Sequence, residues 1–172
     1  MSYAHVEDII TTLRGELPPE VTLVAVSKFH PIEAIEAAVR GGQEVFGESR
    51  AQELAQKHAA LPHLKWHFIG HLQSNKVRKA LELFDFFHSV DSAALADRMN
   101  SIAEDMGALP HILLEVNVSG EKSKSGMRPE EVTDVMAHIA QDCPRITVEG
   151  LMTMAPFSEN PEDARPYFRR LR

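Results

Sequence analysis

The chain has 172 residues, 44% of them hydrophobic, and 18 Lys and Arg against 25 Asp and Glu give a net charge of −7. That length supports one sizeable core, and the acidic balance argues against a general nucleic-acid or membrane surface while leaving room for a local basic pocket. A single cysteine, Cys143, excludes an internal disulfide or a cysteine-based zinc site, and no apolar run reaches membrane-spanning length, so the expectation is a soluble cytoplasmic protein.

Val6, Ile9, Ile10 and Leu13 recur at helical spacing, which predicts an opening amphipathic helix over 3–16, stopped by Pro18 and Pro19. A beat of short apolar run and helical segment then repeats. TLVAVS (22–27) leads to a helix over 32–40, with Pro31 at its start and Gly41–Gly42 behind it. EVFGE (44–48) leads to a helix over about 50–60, and WHFIG (66–70) to one over about 75–82. FFHSV (86–90) ends at the N-cap candidates Asp91 and Ser92, and the helix behind them carries Leu95, Met99, Ile102, Ala103 and Met106 on one face. HILLEVNV (111–118) is the longest strand candidate, and its helix opens at Pro129 and carries Val132, Val135, Met136 and Ile139. ITVEGLM (146–152) and a final helix over about 161–171 close the chain.

Six such units, with apolar rather than alternating strands, predict an α/β protein with a parallel sheet covered by helices, in a single domain over 1–172. An open doubly wound sheet and a (β/α) barrel both fit this periodicity, and a barrel has eight strands, two more than are found here.

Several motifs resolve into ordinary structure. GHLQSNK (70–76) is comparable to a phosphate-cradling loop, but Asn75 replaces its second glycine and Val77 its hydroxyl residue, which leaves a strand-to-helix turn. His67 and His71 lie four apart with His63 and His88 nearby, yet no carboxylate or cysteine joins them at a metal-ligand spacing, so packing histidines and no metal are expected. FGESR (46–50) lacks the second glycine of a nucleophile elbow, and Glu48, Glu53, Arg50 and Lys57 read as a solvated helix face. EVNVSGEKSKSGM (115–127) breaks a long strand into a loop holding Lys122, Lys124, Gly120 and Gly126. It is either a mobile surface loop or one that brings Lys124 to the C-terminal mouth of the sheet, where ligands bind in both candidate folds.

Lys28 is the sharpest feature. It ends the first apolar run, where parallel α/β proteins place functional groups. An apolar wall behind its amine would favour the neutral form, which Schiff-base chemistry with an aldehyde requires, and the alternative is a solvated strand end.

AVSKFHP (25–31), FGES-x-x-QE (46–53), WHFIGHLQSNK (66–76), HSVD (88–91), EVNVSGEKSKSG (115–126) and EGLMTMAP (149–156) occur in order. Together they closely resemble the YggS/PROSC family of pyridoxal 5′-phosphate (PLP) homeostasis proteins, over nearly the whole chain. The resemblance implies a TIM-type barrel like the N-terminal domain of alanine racemase, with PLP held as a Schiff base on Lys28. It also implies a role in PLP and vitamin B6 balance without established turnover, delivery to PLP-dependent apo-enzymes, and no nucleic-acid or membrane partner. Ser49, Asn75, Ser89, Asn117 and Met152, at the ends of the other strands, are the further cofactor-contact candidates, and the family pattern adds Lys124. Ser49 departs from the family, where asparagine usually follows FGE, and so does Phe29, where a small polar residue is common. The family's serine- and glycine-rich phosphate-binding segment and its Arg-Ile-Gly segment do not occur in this chain. The expectation is therefore an incomplete barrel of about six of eight units, C-terminally truncated, with a weaker grip on phosphate. Such a chain is a fragment or self-associates to complete its sheet, whereas the complete family form is a monomer. A PLP-dependent racemase-like enzyme is the alternative function, and a cofactor-free Schiff-base aldolase is a third. Tyr3 and Tyr167 both fall in terminal helices, which argues for a carrier over a racemase.

Overall fold

Every apolar run identified above forms a strand. The structure, a computed structural model, describes residues 3–84 and 86–172 and divides into two units, 1–69 and 70–172. The first contains α1 (Ala4–Glu16), β1 (Ala25–Val26), α2 (Ile32–Arg40), β2 (Val45–Glu48), α3 (Ala51–Ala60) and β3 (Lys65–Phe68). Its strands run parallel in the order β1–β2–β3, with Ala25 beside Phe46, Val26 beside Gly47, and Val45–Glu48 in register with Lys65–Phe68. Phe46 and Trp66 are cross-strand neighbours whose rings lie 5.6 Å apart, and with Ile35 and Leu54 they are buried. The helix α2 buries Ala34, Ile35, Ala37 and Ala38 on one face, as the spacing requires.

The first strand is shorter than its apolar run. The buried Gln43 side chain donates through Nε2 to the Leu23 carbonyl at 2.7 Å and to the Val45 carbonyl at 2.6 Å. A side-chain amide thus serves backbone before β1 that the apolar run had placed in the ladder.

The second unit contains a 3-10 turn (Ser74–Lys76), α4 (Val77–Leu81), β4 (Phe86–Val90), α5 (Ala93–Met106) and β5 (His111–Glu115), followed by a 3-10 turn (Pro129–Glu131), α6 (Val132–Asp142) and β6 (Thr147–Met152). A last 3-10 turn (Pro161–Ala164) leads into α7 (Arg165–Leu171), which takes Pro166 in its first turn, where a missing N–H is tolerated. Its strands are parallel in the order β4–β5–β6. Phe84, Phe87, Met99, Ile112, Leu114 and Ile139 are buried here. The start of α5 is capped by Ser92, whose Oγ accepts from the Leu95 N–H, and Gly107 in the left-handed region ends it.

The longest strand candidate also stops early, at Glu115. Beyond it the chain folds back on itself: the Met127 N–H donates to the Glu115 carbonyl and the Asn117 N–H donates to the Met127 carbonyl, both at 2.9 Å. This return needs Gly126. Its φ is +109°, and a Cβ there would stand 2.7 Å from the Asn117 nitrogen. Gly120 in the same loop has φ +72° but open space around it. Gly120→Ala should therefore cost about 1 kcal/mol of conformational preference. Gly126→Ala should cost at least twice that, because backbone must also move. Denaturant unfolding of both variants checks this, and equal losses would contradict the close approach.

Candidate functional site

Lys28 lies one residue past Ser27 at the C-terminal end of β1, in a turn closed by the His30 N–H donating to the Ser27 carbonyl at 3.0 Å. Phe29 takes the third position of that turn with φ +65°, a conformation unfavourable for a residue with a Cβ. The Phe29 ring is 75% exposed and lies under the Arg50 guanidinium, 5.8 Å from carbon to ring centroid. Lys28 is exposed. The apolar wall anticipated behind its amine is thus not what distinguishes it; its backbone anchorage is.

That anchorage is a buried polar cluster. Glu48 ends β2 fully buried, and Lys57, from α3, is 8% exposed. Lys57 Nζ donates to Glu48 Oε1 at 2.5 Å and to the Ser27 carbonyl at 2.8 Å, while Ser27 Oγ donates to Glu48 Oε1 at 2.8 Å. Glu48 Oε2 is buried without a hydrogen-bond partner. The solvated helix face expected for Glu48, Glu53, Arg50 and Lys57 is therefore corrected by half. Arg50 and Glu53 form a surface pair at 3.4 Å, but Glu48 and Lys57 are internal. The nine-residue separation hid this, since it pairs a strand end with a later turn of the following helix rather than two positions on one helix face. Ser49 follows Glu48 directly, half-buried.

In the second unit, Asn75 is exposed in the turn before α4. Ser89, on β4, is 2% exposed and donates its hydroxyl to the Gly70 carbonyl. Asn117 holds its own loop: Nδ2 donates to the Glu121 carbonyl at 2.9 Å, and Oδ1 accepts from the Gly120 N–H at 2.9 Å and from Ser119 Oγ at 3.2 Å. Lys124 is held rather than free, with Nζ 2.6 Å from Glu121 Oε2 and donating to the Met154 carbonyl at 3.1 Å. This joins the loop after β5 to the segment after β6, and the neighbouring Lys124 ammonium holds the Glu121 carboxyl below its usual range. Met152 ends β6 half-buried, opposite Glu115. Ser89, Asn117, Lys124 and Met152 thus lie at or just beyond strand ends of this unit, with the polar groups of Ser89 and Asn117 engaged in shaping backbone.

Two further clusters carry perturbed groups that the sequence did not single out. Glu115, buried at the end of β5, is pushed up by desolvation and by the Asp91 carboxylate, against a smaller opposing effect of His71. His71 Nδ1 lies 3.7 Å from Asp91 Oδ2. On the helices, Asp97 Oδ1 is 2.7 Å from His138 Nε2 and accepts from Cys143 Sγ at 3.5 Å, while His138 Nδ1 is 3.1 Å from Asp142. Asp97, His138 and Cys143 are spaced closely enough to share a metal ion, but as they stand they link α5 to the end of α6. Burial and the two carboxylates push the Cys143 thiol up to about 11. Of the histidines considered from sequence, His88 sits 5.2 Å from the Phe86 ring and burial lowers its pKa.

Comparison with known proteins gives the chain's family. The family model described as alanine racemase, N-terminal domain, matches residues 2–172. A pyridoxal phosphate homeostasis protein of Escherichia coli K12 is 41% identical over 167 residues, covering 91% of this chain and 70% of that protein. One from Aquifex aeolicus is 42% identical over 152 residues, covering 87% and 66%. The chain spans about two thirds of the length of these curated relatives. The solved structure of PipY from Synechococcus elongatus with PLP bound superposes with TM-score 0.85 at 39% identity, over 96% of this chain and 81% of that one. Alanine racemase from E. faecalis, at 16% identity and TM-score 0.81, shares the fold.

The raised Glu115 carboxyl has a consequence for stability. Its ordinary value is 4.5, so just above that pH the folded chain binds more protons than the unfolded one, and stability falls as pH rises through the raised value. Glu115→Gln removes that penalty. It should raise Tm at pH 7.5 by roughly 2–4 °C, and the gain should vanish near pH 4. Thermal melts at the two pH values check this, and no gain at pH 7.5 would contradict the desolvation described.

Proposed function

Because the chain belongs to the alanine racemase N-terminal domain family, and within it to the pyridoxal phosphate homeostasis proteins, we propose that it binds PLP covalently through Lys28. In this reading it serves intracellular PLP and vitamin B6 homeostasis as a carrier or regulator rather than as an enzyme with turnover. The observation that carries the reading is the Lys28 turn: an exposed lysine next to Ser27, whose backbone is held by the buried Lys57 ammonium and by the Gly47 carbonyl, in a chain similar to a protein solved with PLP bound. When bound, the cofactor supplies an aldehyde carbon that condenses with a primary amine and loses water. The donor set fits such a group. Lys28 is accessible, whereas Lys57, the buried lysine beside it, has its ammonium committed to Glu48 and the Ser27 carbonyl.

The amine attacks in its neutral form, and the exposure of Lys28 leaves it open to an incoming aldehyde. Ser49, Asn75, Ser89, Asn117, Lys124 and Met152 complete the proposed cofactor contacts. Of these, Asn117 and Lys124 would act by fixing the loop after β5, and Ser89 by fixing the Gly70 backbone. The two tyrosines support a carrier: Tyr3 immediately precedes α1 and Tyr167 lies in α7, so neither is at a strand end. Delivery to PLP-dependent apo-enzymes in the cytoplasm, and self-association of the chain, belong to the same proposal. No nucleic acid or membrane enters it, in keeping with the net charge of −7. Among the described residues no helix is long and apolar enough to cross a membrane.

The purified chain should gain a visible absorption band on adding PLP. Borohydride reduction followed by peptide mass mapping should then place the adduct on Lys28, and Lys28→Ala should abolish both signals. An adduct on another lysine, or none, would overturn the assignment. Incubation of the loaded chain with L-alanine or L-serine should leave the amino acid's configuration unchanged, and racemisation well above that of free PLP would make it an enzyme.

A further inference from the structure

We propose that the buried Lys57–Glu48 pair is a positioning device that holds the Lys28 turn in its attachment geometry and keeps Lys57 from competing for the cofactor. This rests on the reading of Lys28 as the attachment point. Every polar atom of Ser27, the residue before Lys28, is fixed. Its N–H donates to the Gly47 carbonyl, its Oγ donates to Glu48, and its carbonyl accepts from both Lys57 Nζ and the His30 N–H. The last point is decisive, because the carbonyl that closes the turn around Lys28 is the same atom that receives the buried ammonium.

Stability alone does not explain the pair. Taking two charges out of water costs about as much as their attraction returns, and apolar side chains of similar volume usually do as well or better. Glu48 Oε2, buried and without a partner, makes the pair still less favourable. What such a pair does well is fix one geometry. The turn needs fixing, since Phe29 at φ +65° persists only where its surroundings over-determine it. The Arg50 guanidinium over the Phe29 ring is a surface contact, so the internal hold falls to Lys57. The same bonds give selectivity. Lys57 Nζ has two oxygen partners and is buried, so of the two lysines at this strand end only Lys28 offers an accessible amine.

The test compares the wild-type chain with Lys57→Met and with Glu48→Gln, each with and without Phe29→Gly. The readouts are PLP affinity by absorbance titration, the site of borohydride-fixed label by peptide mapping, hydrogen exchange of the His30 amide, and Tm. Both single variants should weaken PLP binding roughly tenfold and speed His30 exchange by a similar factor. Phe29→Gly, which removes the unfavourable φ, should recover most of the affinity in either background. Glu48→Gln keeps the side chain's shape and serves if Lys57→Met does not fold. A lower Tm with unchanged affinity and label in the variants would make the pair merely structural and overturn the proposal, whatever the exchange rate. No label on Lys28 in the wild-type chain would instead overturn the attachment reading and this proposal together.

Discussion

The ammonium of Lys57 reaches the carbonyl of Ser27 from inside the protein, and the first unit is arranged around that reach. The bond joins the end of β1 to α3, and through Glu48 it includes the end of β2. A parallel ladder leaves its strand ends to be finished by whatever follows them. Here the finishing groups are a hydroxyl, a carboxylate and an ammonium, all buried. Leu54, one helical turn before Lys57 on α3, is fully buried, which seats the helix so that the lysine points inward. The apolar face of α3 therefore delivers the charge, and the charge fixes the turn that carries Lys28.

The second unit solves a related problem with neutral groups. Past β5 the chain must leave the ladder, make a loop and come back, and it does so through the Asn117 side chain and the backbone at Gly126. Asn117 satisfies the Gly120 N–H and the Glu121 carbonyl, so the loop is ordered from within before Lys124 ties it to the Met154 carbonyl. A lysine that would look mobile in a glycine-rich loop is instead only 19% exposed along its side chain. The two units thus share a logic: backbone carbonyls beyond strand ends are held by lysine side chains, Lys57 on Ser27 and Lys124 on Met154.

Strand–helix alternation was readable because parallel strands are apolar on both faces and helices keep a 3.6-residue period; all six strands fall on runs identified from the residues. Strand lengths were not. Gln43 and Gly126 decide where β1 begins and where β5 stops, and both act through backbone contacts that a hydropathy pattern does not encode. Lys28 was legible as a residue out of place at the end of an apolar run. The Glu48–Lys57 pair was not, because each residue alone is unremarkable in sequence and the two become partners only once α3 folds back along β2. The signal that could have found it is the place of Glu48 as the last residue of the run EVFGE, which puts that carboxylate on a buried strand end rather than on the helix face with Glu53 and Arg50. Glu115 was equally hidden at the end of HILLE, where the same inference from a buried strand applies.

On the proposed reading of Lys28 as the attachment point, a pinned backbone and an exposed amine suit a carrier. On that reading, fixing the Lys28 turn in advance lowers the ordering cost of the proposed attachment. Leaving the amine exposed, by contrast, keeps it reachable without adding any contact that holds it. An enzyme gains from burying its lysine, since a permanently neutral amine speeds each turnover. A protein that must take up a reactive aldehyde and later give it up gains from holding the backbone firmly and the amine loosely. The Ser27 cluster supplies the first property and the exposure of Lys28 the second, within two adjacent residues.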